Sequence, residues 1–259
     1  MNSQAAAVEV KGLRMAYDKK LIQEDVDFSV AKGSVFIIMG GSGCGKSTLL
    51  KHMIGLLAPA AGQVLYGDTD YWAAEIAEQD AIRRRFGVLF QGAALFSTMT
   101  LAENVMLPMR LNGPRGQRRG EQRERAEHLL ELVGLAPAAD LLPNEISGGM
   151  KKRAGLARAL ALQPEYLFLD EPSAGLDPIS SRRLDELILD LRERTGAAVL
   201  VVSHELPSLF AIGDDGIFLD AVSKRPIARG APKQLLESCD HPFVQAFLRR
   251  EAPPEATSE

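Results

Sequence analysis

A chain of 259 residues with 46% hydrophobic and 25% charged side chains is long enough to bury its own core and is balanced like an ordinary globular protein. The formal net charge of −4 supplies no global attraction for nucleic acid, and two cysteines, Cys44 and Cys239, are too few for a disulfide framework, which points to a reduced compartment. Met1 to Val10 is polar and alanine-rich, unlike a secretory leader. No run approaches the ~20 apolar residues of a membrane span, so any membrane-crossing part is expected on another chain.

In chain order, the first strongly apolar run, Ser34–Met39, predicts a strand. A helix is expected from Thr48, where Leu49, Leu50, Met53, Ile54 and Leu57 share a face. Phe86–Phe90 predicts a second strand. Leu101 to Leu162 reads as helix and loop, with a Gly- and Arg-rich loop at Asn112–Gly120 and a helix over Glu121–Val133. Tyr166–Leu169, Ala197–Val202 and Gly216–Leu219 predict further strands, with a helix between the first two marked by Leu184, Leu187, Ile188 and Leu191. Nearly continuous apolar strands alternating with helices predict an α/β domain with a mostly parallel sheet. Residues of about 92–163 are expected as a helical lobe inserted into a core of about 1–91 and 164–250. The tail 251–259, rich in Pro, Ala and Glu, is expected to be disordered.

Gly40 to Thr48 reads Gly40-Gly41-Ser42-Gly43-Cys44-Gly45-Lys46-Ser47-Thr48 and contains the Gly-x-x-x-x-Gly-Lys-Ser phosphate loop between a strand and a helix. Glycines let backbone N–H groups curl around a triphosphate, and the following helix points its positive end at it. Lys46 is expected on the β- and γ-phosphates and Ser47 on Mg²⁺. Chance produces the bare pattern in roughly one chain in a hundred of this length, and the strand–loop–helix context makes chance rarer still. The strand Tyr166–Leu169 runs into Asp170 and Glu171. Two acids after a strand are by themselves usually a solvated loop. Beside a phosphate cradle they predict Asp170 as a Mg²⁺ partner and Glu171 as the base that orients and deprotonates the attacking water.

Together with Ser147-Gly148-Gly149 inside Glu145–Met150, these motifs make the chain resemble the ABC ATPase family over nearly its whole length. The resemblance implies a P-loop NTPase fold of the ABC type: a mostly parallel core sheet, an N-terminal antiparallel β subdomain and an inserted helical subdomain. It implies that Ser147, Gly148 and Gly149 are the signature that binds the γ-phosphate held by the other subunit. Gln91 matches the Q-loop, a contact to Mg²⁺ and to the attacking water; Ser173–Asp177 matches the D-loop, with Asp177 at the dimer interface; and His204 matches the switch histidine. Tyr17 matches the aromatic that stacks on adenine, although a lone tyrosine near a strand end is more often packing. His52, His128 and His241 have no such placement and are expected as packing or surface residues.

The usual signature begins with Leu and ends with Gln; here Ile146 and Met150 stand in those places, leaving Ser-Gly-Gly intact. Cys44, at a helix N-terminus, is expected to have a lowered thiol pKa, and its alkylation to block ATPase activity. One cradle and one signature per chain imply a head-to-tail homodimer enclosing ATP.

Phe90–Phe96, Asp177-Pro178-Ile179, Ser203–Pro207 and His241–Leu248 look like the Mla-type subfamily. That likeness implies an ATPase on the cytoplasmic face of a bacterial inner membrane, serving phospholipid transport with a membrane permease and an MCE-domain lipid-binding protein, and with no nucleic-acid partner. Gly92–Pro108 would form the groove for a permease helix, or equally lobe core. Phe243–Arg250 is expected as a helix against a neighbouring subunit or on the surface. Two other readings stay open: the motor of another ABC transporter, for amino acids or lipoproteins, and a soluble ABC ATPase of DNA repair or translation.

Overall fold

Alternation of apolar and polar side chains builds the first layer. β1 (Ala6–Tyr17) buries Val8, Val10, Leu13 and Met15, and pairs antiparallel with β2 (Lys20–Ala31). The computed structural model describes residues 6–18, 20–113, 116 and 118–252. β3 (Val35–Gly40) is buried throughout and leads into α1 (Lys46–Met53). β4 (Ala61–Tyr66) and β5 (Thr69–Asp70) complete a four-stranded antiparallel sheet in the order β2-β1-β4-β5. α2 (Ile76–Arg83) precedes β6 (Phe86–Leu89).

From β6 to the next strand the chain is helix and loop: α3 (Leu101–Asn112), α4 (Arg119–Leu132) and α5 (Gly148–Ala159), with two 3₁₀ turns between the last two. Thr100 and Glu103 close a reciprocal capping box on α3. Then follow β7 (Tyr166–Asp170), α6 (Pro178–Thr195), β8 (Ala198–Val202), α7 (Leu206–Ile212), β9 (Asp215–Leu219), β10 (Pro226–Arg229), α8 (Pro232–Ser238) and α9 (Pro242–Arg249). α6 has Asp177 as its N-cap, Pro178 in its first turn and Gly196 at φ 65 past its end.

The second sheet runs β10-β9-β3-β8-β7-β6, parallel except for the β10 edge. β3 explains why the apolar runs are continuous. Val35, Ile37 and Met39 pack into the core shared with the helical stretch, whereas Phe36 and Ile38 pack into the core shared with the antiparallel sheet. A strand covered on both faces has no polar side to show. Phe28 of β2 stacks on Phe36 at 4.7 Å and couples the two sheets.

Several boundaries differ from expectation. α1 starts at Lys46 rather than Thr48, because Gly45 at φ 103 turns the chain directly into the helix. It ends at Met53, and Leu57 lies beyond it, where its carbonyl oxygen meets His52 Nδ1 at 2.6 Å. The α9 helix packs one face against the sheet of its own chain and leaves Pro242 and Arg249 exposed. Its apolar face is spent within the chain: Val244 and Leu248 are buried, and Phe243 and Phe247 stand edge-on to Phe218 of β9 at 6.1 and 5.0 Å. The expected tail lies outside the described residues beyond position 252, as do positions 114, 115 and 117 of the Gly/Arg-rich loop. Among the described residues, no helix is long and apolar enough to cross a membrane.

Candidate functional site

The parallel register brings three strand ends together. β3, β8 and β7 are neighbours, so the loops after Gly40, Val202 and Asp170 emerge side by side at the carboxyl edge of the sheet. That edge is where open α/β sheets bind ligands. A cleft of about 680 Å³ opens there, lined by Gly40, Gly41, Ser42, Gly43, Gly45, Lys46, Ser47 and Thr48 together with Gln91, Glu171 and His204.

Backbone conformation makes the cradle. Gly40, Gly43 and Gly45 have φ of 142, 76 and 103, in the region that favours glycine. A Cβ on Gly40 would collide with the Leu219 carbonyl oxygen and come within 2.6 Å of Cys44 Sγ. Lys46 Nζ donates to the carbonyl oxygens of Gly40 and Gly41 at 2.8 and 2.9 Å, which folds the cation back over the loop. Ser47 Oγ donates to Asp170 Oδ1 at 3.1 Å. A hydroxyl beside a carboxylate is a hard-oxygen pair suited to Mg²⁺, which completes its shell with phosphate oxygens and water rather than a protein cage. Burial raises the Asp170 pKa, opposed by the Ser47 hydroxyl and the charges of Lys51 and Lys46.

Glu171 is held in a costly conformation, φ 50, by its N–H bond to the Val202 carbonyl oxygen at 2.8 Å. The residue is 7% exposed. Oε1 meets His204 Nδ1 at 2.8 Å, and Oε2 is buried with no hydrogen-bond partner among the described residues. A buried carboxylate oxygen left free is costly unless something else uses it.

The remaining expected residues do not line this cleft. Ser147, Gly148 and Gly149 lie at the start of α5, with Ser147 Oγ accepting from the Met150 N–H at 3.2 Å. Asp177 is exposed and caps α6, accepting from the Ile179 and Ser180 N–H groups at 3.1 and 3.0 Å; those bonds hold its carboxyl below the usual range. Tyr17, 44% exposed, ends β1 outside the cleft, and Ile22 lines the wall instead.

Cys44 overturns its expectation. The thiol is 1% exposed, and burial raises its pKa more than the nearby Lys46 charge lowers it. The helix N-terminus is a weaker influence than desolvation, because the side chain points into the core beneath Gly40 and away from the cleft. Iodoacetamide at pH 7.5 is therefore expected to label half-buried Cys239 at least about tenfold faster than Cys44, with ATPase activity retained. Peptide mass mapping gives the ratio, and equal labelling of the two thiols would contradict the burial.

Three contributors escaped the sequence reading. Lys152 turns inward from α5 and donates to the carbonyl oxygens of Glu171, at 3.0 Å, and of Ala174. It ties the Ser147–Gly149 turn to the loop after β7. Arg158 clamps the carbonyl oxygens of Ala94 and Ala93 at 2.6 and 2.7 Å, holding both at positive φ just after Gln91. Phe247 and Arg250 reach the cleft from the C-terminal helix. Lys152 closely follows the Ser-Gly-Gly signature and Phe247 lies in the His241–Leu248 stretch, so the sequence marked their neighbourhoods and not their contacts.

The model of the family described as "ABC transporter" matches residues 23–174. The chain is 38% identical to the intermembrane phospholipid transport system ATP-binding protein MlaF of Haemophilus influenzae over 253 residues, covering 95% of this chain and 91% of that one. It is 39% identical to the probable ribonucleotide transport ATP-binding protein mkl of Mycobacterium leprae over 242 residues, covering 93% of this chain and 68% of that one. Among solved structures, the dimeric, ADP- and Pi-bound post-hydrolysis state of the ATP-binding cassette MJ0796 superposes with a TM-score of 0.78 at 30% identity, covering 86% of this chain and 97% of the other.

Proposed function

This chain belongs to the ABC transporter family and is an ATP-hydrolysing transporter subunit; from that premise we propose that two copies, arranged head to tail, drive a membrane permease that moves phospholipid between bacterial inner and outer membranes. The observation that carries the cargo is the nearly end-to-end match to MlaF, 95% of this chain on 91% of that protein. The mkl relative favours a second reading, ribonucleotide transport, but this chain spans only 68% of it.

The geometry supports the following residue roles. The N–H groups of Gly41 to Thr48 and the Lys46 ammonium would hold the β- and γ-phosphates. Ser47 and Asp170, with Gln91 beside them, would hold Mg²⁺, which neutralises charge on the phosphate oxygens. Glu171 would take a proton from water through its free Oε2 while His204 holds Oε1; the resulting hydroxide attacks the γ-phosphorus, and the bond to the bridging oxygen breaks, releasing ADP. Ser147–Gly149 lies outside the cleft of its own chain, which supports a site completed by the signature of a second copy.

We assign residues 92–163 as the helical lobe of a single domain. A groove of about 400 Å³, lined by Arg83, Arg84, Asn112 and Leu162 and, from the expected Gly92–Pro108 segment, by Pro108 alone, would receive a permease helix. Partners would be that permease and an MCE-domain protein, with this subunit on the cytoplasmic face.

Affinity purification of the tagged chain from its native membrane, with mass spectrometry of proteins and lipids, tests the cargo. A multi-spanning permease with an MCE-domain protein and phospholipid is the expected result. A permease with a solute-binding protein, or no membrane partner, would overturn it.

A further inference from the structure

A second cleft, about 650 Å³, lies behind the loop that carries Glu171. Asp185 of α6 lines it and is 5% exposed, and its Oδ1 is buried with no hydrogen-bond partner among the described residues. Beside it, Ser208 of α7 donates to Ser173 Oγ at 3.2 Å and lies 3.4 Å from Ser181 Oγ. Ser173 and Ser208 are both 2% exposed. These serines have different attachments. Ser173 follows Glu171 by two residues, in the loop that Lys152 also grips. Ser208 sits in the first turn of α7, which begins directly after His204 and Glu205. The two loops that must hold Glu171 and His204 in register are therefore joined behind the site by a buried hydroxyl pair, and the Asp185 carboxylate lines the same cleft as Ser208.

A hydroxyl carries one proton, so the pair has a direction. With Asp185 ionised, Ser208 can turn its proton to the carboxylate and accept from Ser173. With Asp185 protonated, the carboxyl donates to Ser208, and Ser208 donates to Ser173. Burial raises the Asp185 pKa to about 6, against the pull of the Ser208 hydroxyl, and Glu186 pushes it the same way as burial. Arg182 and Glu186 from α6, Glu205 from the segment before α7, and Arg250 after α9 are the other charged groups lining this cleft.

We propose that Asp185 is a positioning residue for ATP hydrolysis, acting through Ser208 and Ser173 to fix the Glu171 loop against the His204 loop. This rests on the reading of Glu171 and His204 as the hydrolytic pair, and it reaches beyond it, because Asp185 touches neither of them. A buried carboxylate oxygen without a partner is an expensive way to stabilise a helix. Its place in the same cleft as the Ser208–Ser173 pair that joins the two loops is what accounts for it.

The test uses the full chain assembled with its membrane partners, comparing Asp185→Ala, Asp185→Asn and Ser208→Ala in steady-state ATP hydrolysis from pH 5.5 to 8.5, with nucleotide affinity and thermal midpoint alongside. Asp185→Ala is expected to lower kcat about ten- to a hundredfold with KM for ATP within about twofold, because loop register affects the reacting geometry and not the phosphate cradle. Asp185→Asn keeps the shape and can donate to Ser208 but cannot titrate. It is expected to recover most of the kcat and to remove a component of the pH profile near the Asp185 pKa. Ser208→Ala is expected to match Asp185→Ala, and the double variant to lose no more than either single one. Wild-type kcat in Asp185→Ala, or a lowered thermal midpoint with unchanged kcat per folded molecule, would overturn the proposal, as would full additivity of the two alanine variants. An inactive wild-type complex would instead sink the ATPase reading itself, which separates the two failures.

Discussion

Glu171→Gln is expected to lower ATP turnover by about 10²–10⁴-fold while leaving ATP affinity within about threefold, the range for loss of a general base. The substitution keeps size and polarity, so the half of the side chain that faces His204 still finds a partner at the 2.8 Å separation. What disappears is the capacity of buried Oε2 to take a proton. Because nucleotide then stays intact between two copies, the variant is expected to run as a dimer in ATP and as a monomer after nucleotide removal, read by size exclusion with light scattering. Turnover within threefold of wild type would remove Glu171 from the mechanism. Loss of turnover together with loss of ATP binding would mean that the substitution had disturbed the strained backbone at φ 50 rather than the chemistry.

Lys46→Ala is expected to weaken ATP binding by about 10²-fold or more, since a charge-assisted hydrogen bond contributes about 1.5–3 kcal/mol and the ammonium can make two to the phosphates. In this structure those donors are satisfied by the carbonyl oxygens of Gly40 and Gly41 at 2.8 and 2.9 Å. ATP must exchange these bonds for its own. The side chain is only half-buried, so the fold should tolerate its removal, with a nucleotide-free thermal midpoint within a few degrees of wild type. Titration calorimetry with ATP reads the affinity directly. Unchanged affinity would show that the backbone N–H groups of the loop bind the phosphates unaided.

The sequence by itself determined the local chemistry. Gly40–Thr48 could be read because the phosphate loop demands glycines at fixed intervals and a lysine at the helix start, and the φ values of Gly40, Gly43 and Gly45 bear the glycines out. Asp170 and Glu171 could be read because they end and follow a strand whose apolar run has no polar face to confuse the pattern, whereas His204 was marked by its match to the family's switch histidine. The helix–loop stretch after β6 was legible from its lack of strand-like runs. Tertiary structure alone decided whatever depended on direction and depth. Cys44 lies in the cradle by sequence but points beneath it, where desolvation outweighs the field of the helix end. Lys152 turns inward to carbonyl oxygens that are neighbours only once β7 and α5 have packed. The C-terminal helix reads from sequence only as an amphipathic segment, and tertiary structure set Phe243 and Phe247 edge-on to Phe218. Asp185 looks like an ordinary helix-surface acid, and it becomes notable only because α6 and α7 bury it beside Ser208. Motifs are short-range and survive as spacing along the chain, whereas burial, pKa and hydrogen-bond partners are set by residues tens of positions away, brought close by sheet order.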